Sequence, residues 1–399
     1  MKTFTNFSFH MYTDILFGKD TEKETGNMIR KHGGTRVMMV YGGGSIKKSG
    51  LYDRVVKSLN DAGIPFIELG GVKPNPLRSL VDKGLKIAQD EKIDFMLGVG
   101  GGSAIDTAKG IALGLANNGE YWKFYGNVPA EKMAKVGTIH TIAAAGSETS
   151  SSSVLVDDIE TGRKKGFMWT PCRPVFAIMN PELTYTVSPY QTGAGSADIF
   201  AHTVMRYFIN SASYLGDAYC ESTLRTVLKY APIAIANPTD YEARSELMLA
   251  GSFSHNDLTG IGRSGPRGGE HGLESQLSGY YDTAHGAGLA AVMPAWLQYI
   301  VDHGPADKVA RIAQFGVKVF GVEPDMADVK AVANEGLRRF RVWIKSIGMP
   351  LTLKELGIPK GDLQGVIDRC LDNLGGALEG AFMDLDRNAV TAIFSSMVE

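Results

Sequence analysis

The chain has 399 residues, of which 44% are apolar and 21% charged, with a formal net charge of −2 at neutral pH. That length exceeds one ordinary core and predicts two domains, and the composition is that of a globular chain. The near-zero charge gives no reason to expect nucleic acid or an anionic membrane as a partner, and no apolar run approaches the roughly 20 residues that span a bilayer.

The opening residues, MKTFTNFSFHMYTD, lack the apolar core of a signal peptide. RVMMVY at 36–41 is a short apolar strand ending in glycines, LYDRVVKSLNDAG at 51–63 has helical spacing, and IPFIEL at 64–69 is strand-like again. PLRSLVDKGLKIAQDE at 76–91 is an amphipathic helix, IDFMLGVG at 93–100 a continuously apolar strand, and GSAIDTAKGIALGLAN at 102–117 the helix after it. This alternation predicts an α/β domain with a parallel sheet, and with ligands at the carboxyl edge of its strands. Past VLVDD and PVFAIMNP the rhythm fades, and from Ser188 most segments carry helical periodicity. The expected boundary is therefore near 187, with an α/β domain over 1–187 and an all-α domain over 188–399. GLAAVMPAWLQYI reads as a buried helix, and GRSGPRGGE at 262–270 as an irregular connection. Cys172, Cys220 and Cys370 are scattered, with no Cys-x-x-Cys motif, which suits reduced, buried thiols in a cytoplasmic protein.

Two glycine loops stand at the ends of strands. VGGGSAIDTAK at 99–109 opens a helix, and Gly100, Gly101 and Gly102 let a backbone approach a ligand closely, while Ser103 adds a hydroxyl. The helix N-terminus favours a pyrophosphate, although the spacing is not the usual dinucleotide fingerprint because Ser103 falls where the last glycine belongs. Asp106 is placed to hold this loop or to reach a substrate. The second loop, YGGGSIKKSG at 41–50, carries no acid to hold a ribose 2′-hydroxyl. Gly43 leaves room, Ser45 offers a hydroxyl, and Lys47 and Lys48 bring positive charge, a combination that accepts a 2′-phosphate and so NADP(H). Each loop also has a plain reading as a strand-to-helix turn.

The helical half holds the second constellation. Asp198 and His202 in DIFAH are four residues apart, which puts both on one helix face. His271 and His285 follow, fourteen residues apart, so that this set uses three of the chain's eight histidines. Three imidazoles and one carboxylate suit Fe²⁺ or Zn²⁺ better than Ca²⁺ or Mg²⁺. His10, His32, His140 and His303 have no such partners, and His255 lies in SFSHNDLTG on the approach to the metal segment.

Taken together, FHMYTDILFGK, VGGGSAIDTAK, AGSETSSSSVL, NPELTYTVSP, ADIFAHT and YDTAHGAGLA resemble the iron-containing, or group III, alcohol dehydrogenases, over nearly the whole chain. YGGGSIKKSG resembles the NADPH-dependent butanol dehydrogenase and aldehyde reductase branch. The resemblance implies a dinucleotide-binding domain and a helical metal domain of the architecture that dehydroquinate synthase shares, an active site between them, and a homodimer joined through the N-terminal strand. It implies Asp198, His202, His271 and His285 as metal ligands, with His285, Asp106 and His255 as catalytic candidates. Gly101, Gly102 and Ser103 would hold the pyrophosphate, Thr141, Ser147, Lys164 and Leu183 would line the cofactor, and Gly43 and Ser45 would meet the adenosine ribose. The implied reaction is hydride transfer between NADP(H) and a small alcohol or aldehyde whose oxygen lies on the metal.

One departure stands out: relatives often carry a histidine four residues after the third ligand, where this chain has Ser275. Arg263 and Arg267 would bring positive charge to the cleft and favour a substrate with a carboxylate. Two competing functions remain: a sugar-phosphate cyclase-like lyase with bound NAD, which needs clustered cations for a substrate phosphate, and a nucleotide-binding protein with reduced turnover.

Overall fold

The computed structural model describes residues 2, 3, 5–126, 128–263 and 269–399. Contacts divide the chain into a sheet unit, His10–Val187 with Pro238–Asn256, and a helical unit, Met1–Phe9 with Ser188–Asn237 and Asp257–Glu399. The division falls at 187/188 and departs from a single cut in two places. Helix Tyr241–His255, expected in the helical half, packs with the sheet, and the first residues join the helices, where Lys2–Thr3 pairs in parallel with Ser211–Ala212.

The sheet unit is built on six parallel strands: β1 (Asp14–Phe17), β2 (Val37–Tyr41), β3 (Phe66–Leu69), β4 (Phe95–Gly100), β5 (Lys135–His140) and β6 (Phe176–Met179), in the order β1-β6-β5-β4-β2-β3. The apolar runs at 37–41 and 95–100 have no polar face because both sides of the sheet are covered. Met38, Val40 and Met96 pack on one side with Val81 and Leu85 of helix α2 (Arg78–Asp90) and Ile111 of α3 (Gly102–Ala116). Val37, Met39, Phe95 and Leu97 alternate to the other side, against Leu51, Val55 and Leu59 of α1 (Leu51–Asp61). After β2 the chain moves outward to β3, and after β4 it moves the opposite way to β5, so the order reverses between β2 and β4. Such a switch point opens a crevice beyond the strand ends, and here the two glycine loops flank it.

A second pair of strands, Ser152–Val156 and Lys164–Met168, forms an antiparallel hairpin that includes the VLVDD segment. The serine-rich stretch before it is pinned by two buried cations. Lys109 Nζ donates to the carbonyls of Ser147 (2.7 Å), Ser150 (3.0 Å) and Ser152 (2.7 Å) and approaches Ser147 Oγ at 3.1 Å. Arg173, 2% exposed, donates to the Thr149 carbonyl. Burial pulls the Lys109 amine down to about 8, against the opposing pull of the Asp106 carboxyl.

In the helical unit, α4 (Pro189–Tyr207), α5 (Tyr214–Ala236), α7 (Glu270–Tyr281), α8 (His285–His303), α9 (Ala306–Phe320) and α10 (Val329–Ser346) enclose an aromatic core of Phe200, Phe315, Phe340 and Trp343; α6 is the Tyr241–His255 helix of the sheet unit. The GLAAVMPAWLQYI segment is buried within α8, and among the described residues no helix is long and apolar enough to cross a membrane. At Gly286 a Cβ would fall on the Ala194 backbone, so only glycine lets the start of α8 lie this close to α4. The helix α7 and the helices Leu363–Asn373 and Arg387–Ser395 are additions to the expected elements. All three cysteines are buried, and burial pushes the Cys172 and Cys370 thiols up to about 12.

Lys109→Met is expected to leave three carbonyls without their donor, each worth about 1–3 kcal/mol when stranded. The expected loss is about 3 kcal/mol in unfolding free energy, read as a lower urea midpoint. An unchanged midpoint would mean that water replaces the amine.

Candidate functional site

Asp198 and His202 lie one turn apart on α4, His271 near the start of α7 and His285 at the first position of α8. Asp198, His202 and His271 each offer a ligand atom within 4.8 Å of the others. His202 Nε2 lies 3.4 Å and His285 Nε2 4.0 Å from Asp198 Oδ1. The His271 ring centroid is 4.6 Å from that of His202 and 5.5 Å from that of His285. A tetrahedral ion bound at about 2.1 Å spaces its ligand atoms about 3.4 Å apart, so Asp198, His202 and His271 are at the scale of one coordination shell, with His285 at its edge, 4.0 Å from Asp198. His271 Nε2 is buried without a hydrogen-bond partner among the described residues, as an atom reserved for an ion would be. The donor set of three nitrogens and one oxygen fits a divalent ion of the iron or zinc kind.

Two acids behind the imidazoles were not anticipated. Glu270 and Glu274 are fully buried, and each meets the Nδ1 of one cage histidine: Glu270 that of His271 at 2.9 Å, Glu274 that of His285. An Nδ1–H donated to a carboxylate leaves Nε2 as the free lone pair, the atom that faces Asp198. The signal in the sequence was EHGLE itself, two acids within three residues of a ligand histidine.

His255 belongs to the sheet unit. It ends α6 in the sheet unit, with Nδ1 2.7 Å from the Ala145 carbonyl, beside Gly146. It braces the loop before Ser147. Asp106 also holds this loop: it accepts from Ser147 Oγ (2.5 Å) and from the Val154 amide (3.0 Å). Burial pushes its carboxyl up, against Lys109 and those two donors. Both oxygens are thus engaged by the protein, and the geometry assigns Asp106 to positioning.

Of the cofactor candidates, those in the two glycine loops lie at the switch point between β2 and β4. Gly101 caps α3, whose first turn holds Gly102 and Ser103. The Thr141 amide donates to the Gly100 carbonyl (3.1 Å), and a Cβ on Gly102 would stand 3.9 Å from Ser147 Cβ. Gly43 faces open space, and Ser45 starts the short helix after it. Lys164 begins the second hairpin strand, and Leu183 packs against the apolar sheet face around Ile139 and Ile178. An acid does stand beside the second glycine loop. Glu68 on β3 accepts from the Tyr41 and Tyr52 hydroxyls at 2.6 Å each and lies 3.7 Å from the Lys47 amine. Against burial, which raises it, those three groups hold the Glu68 carboxyl below its usual value. Glu68 is distant in sequence from the glycine loop, and strand pairing alone brings it there.

The expectation for Arg263 fails. It is 4% exposed and donates to Asp217 and to the Arg206 carbonyl, so its charge is neutralised inside the helical unit. Arg267 lies outside the described residues. Ser275 Oγ donates to the Gly272 carbonyl (3.3 Å) and accepts from Asn373 (3.2 Å).

Comparison with known proteins agrees with this geometry. Residues 13–181 match the family model for iron-containing alcohol dehydrogenase, and residues 192–398 its C-terminal counterpart. The chain is 37% identical over 392 residues to NADH-dependent butanol dehydrogenase A of Clostridium acetobutylicum, covering 98% of both chains. It is 30% identical to the NADPH-dependent aldehyde reductase YqhD of Escherichia coli, covering 91% of this chain and 92% of that one. The crystal structure of NADH-dependent butanol dehydrogenase A from Thermotoga maritima superposes over 100% of both chains with a TM-score of 0.94 at 35% identity. The chain belongs to the iron-containing alcohol dehydrogenase family.

Proposed function

We propose that this protein is a metal-dependent alcohol dehydrogenase, working on small alcohols or aldehydes with NADP(H) and one Fe²⁺ or Zn²⁺. The observation that carries the proposal is the cluster of Asp198, His202 and His271 in the helical unit, with His285 Nε2 4.0 Å from Asp198 Oδ1. Bound there, a divalent ion supplies Lewis acidity toward a substrate oxygen, and the dinucleotide supplies or accepts the hydride. The chain's own residues do the rest. Gly101, Gly102 and Ser103 at the start of α3 offer amide and hydroxyl donors to a pyrophosphate. Asp106, Lys109 and His255 hold the adjoining Ser147 loop in shape. With Ser275 in place of a histidine, a water, a ribose hydroxyl or His255 would have to supply the proton to a reduced product.

Room at Gly43 and the charge on Lys47 and Lys48 favour a 2′-phosphate. The opposite preference has support too: Glu68 stands beside Lys47, and two of the relatives named above are NADH-dependent. The lyase alternative loses support because Arg263 and Arg311 both pair with Asp217 inside the helical unit and present no phosphate site. The proposal includes a cytoplasmic homodimer, which light scattering checks at twice the chain mass.

Consumption of NADPH in the presence of butanal tests the function. Asp198→Ala and His271→Ala are each expected to lose the bound ion and to lower kcat/KM by about 10² or more. Full turnover by either variant without metal would refute the assignment. Bound NAD without net redox would indicate the lyase, and tight NADPH binding without consumption the non-catalytic protein.

The cofactor assignment has its own measurement. The wild type is expected to show a lower KM for NADPH than for NADH, and Gly43→Asp to reverse the order by setting an acid against the 2′-phosphate. A wild type that prefers NADH would shift the assignment to Glu68 as the ribose-reading acid.

A further inference from the structure

We infer that Glu274 is the positioning residue for His285, and that through this contact it sets how tightly the metal centre holds its ion. The inference rests on the metal assignment above and names a residue outside the four ligands.

The four ligands are not equally secured. The side chains of Asp198 and His202 are each 8% exposed and sit on the same helix, α4. His285 is 32% exposed and occupies the first position of α8, with no helical turn before it to confine the ring. Its Nε2 lies 4.0 Å from Asp198 Oδ1, farther than the 3.4 Å of His202 Nε2. His285, like His271 at the second position of α7, is therefore less fixed by its own helix than Asp198 and His202 are.

Glu274 supplies what that helix lacks. Its side chain is fully buried on α7, and among the described residues its one polar contact is His285 Nδ1. Its seat is made by Gly288, two positions into the His-Gly-x-Gly sequence after Gly286, where a Cβ would collide with Glu274 Oε1, Cγ and Cδ. A buried carboxyl group whose one close polar neighbour is an imidazole nitrogen does not stabilise a fold, because removing it from water costs more than that contact returns. Its compensation comes from the ion. A carboxylate on Nδ1 fixes the ring's tautomer and direction and strengthens Nε2 as a donor to the metal. Gly288 is thus kept small by the metal centre, whereas Gly286 is kept small by the packing of α8 on α4.

The test is zinc affinity of the metal-stripped full-length protein, measured by competition with a chromophoric chelator, with circular dichroism recorded on every variant. Glu274→Leu is expected to weaken binding by about 10–100-fold. Glu274→Gln keeps an acceptor for Nδ1–H without the charge and is expected to fall between wild type and Glu274→Leu. Gly288→Ala pushes the carboxyl off His285 and is expected to weaken binding with Glu274 itself intact. Should Glu274→Leu fail to fold, Gly288→Ala and Glu274→Gln decide the matter. Zinc affinity unchanged from wild type in the folded variants, with only a lower melting temperature, would overturn the inference and leave Glu274 a structural residue. A wild type that binds no zinc or ferrous ion would overturn it together with the metal assignment, so the two failures are distinguishable.

Discussion

The structure depends on one requirement: an aspartate and three imidazoles, drawn from three helices, must be brought close together, with Asp198 and His202 buried and His271 and His285 partly so. Asp198 and His202 meet it through helical periodicity alone, one turn apart on α4. His271 and His285 meet it through packing, because α8 must approach α4 closely enough for its first residue to reach Asp198. Gly286 permits that approach, and the aromatic core around Phe200 holds α4 in place behind it. Such a concentration of polar groups is costly unless a cation compensates it, and that cost is itself the strongest physical sign of what the unit is for.

The two units solve opposite electrostatic problems. In the helical unit, buried carboxyl groups at Asp198, Glu270 and Glu274 surround imidazoles, an arrangement suited to a cation. In the sheet unit, buried cations at Lys109 and Arg173 gather backbone carbonyls and so fix the loop from Ser147 to Ser152 from behind. The amide groups at the start of α3 then remain available for an anion. Asp106 and His255 belong to this second arrangement. Both carry chemistry in principle, and both are engaged with the loop.

Much of this was legible in the sequence, for identifiable reasons. Central parallel strands are buried on both faces, so 37–41 and 95–100 announce themselves as unbroken apolar runs. The clustering of Asp198, His202 and His271 was legible because histidine is scarce here and the Asp198–His202 spacing is helical. What stayed hidden depends on partners distant in the chain. Nothing in the periodicity of 241–255 says that the helix packs on the sheet, since that follows from Ser252 and His255 meeting Glu148 and Ala145. Glu68 reaches Lys47 only because β3 pairs with β2. Helix α7 was hidden because EHGLESQLSGYY carries no clear apolar stripe, its inward face being built of the polar groups of the metal centre. Arg263 was misread because a charge in a glycine-rich stretch suggests solvent, and Asp217 is forty-six residues away.

The most direct test of the central claim is the position of the ion itself. Anomalous diffraction from crystals of the purified protein, recorded on both sides of the iron and zinc absorption edges, locates and identifies it in one experiment. The expected result is a single peak with Asp198 oxygen and the Nε2 atoms of His202, His271 and His285 all at about 2.0–2.3 Å. A map with no peak among these four residues after metal loading, or with one of the imidazoles turned away from it, would contradict the account.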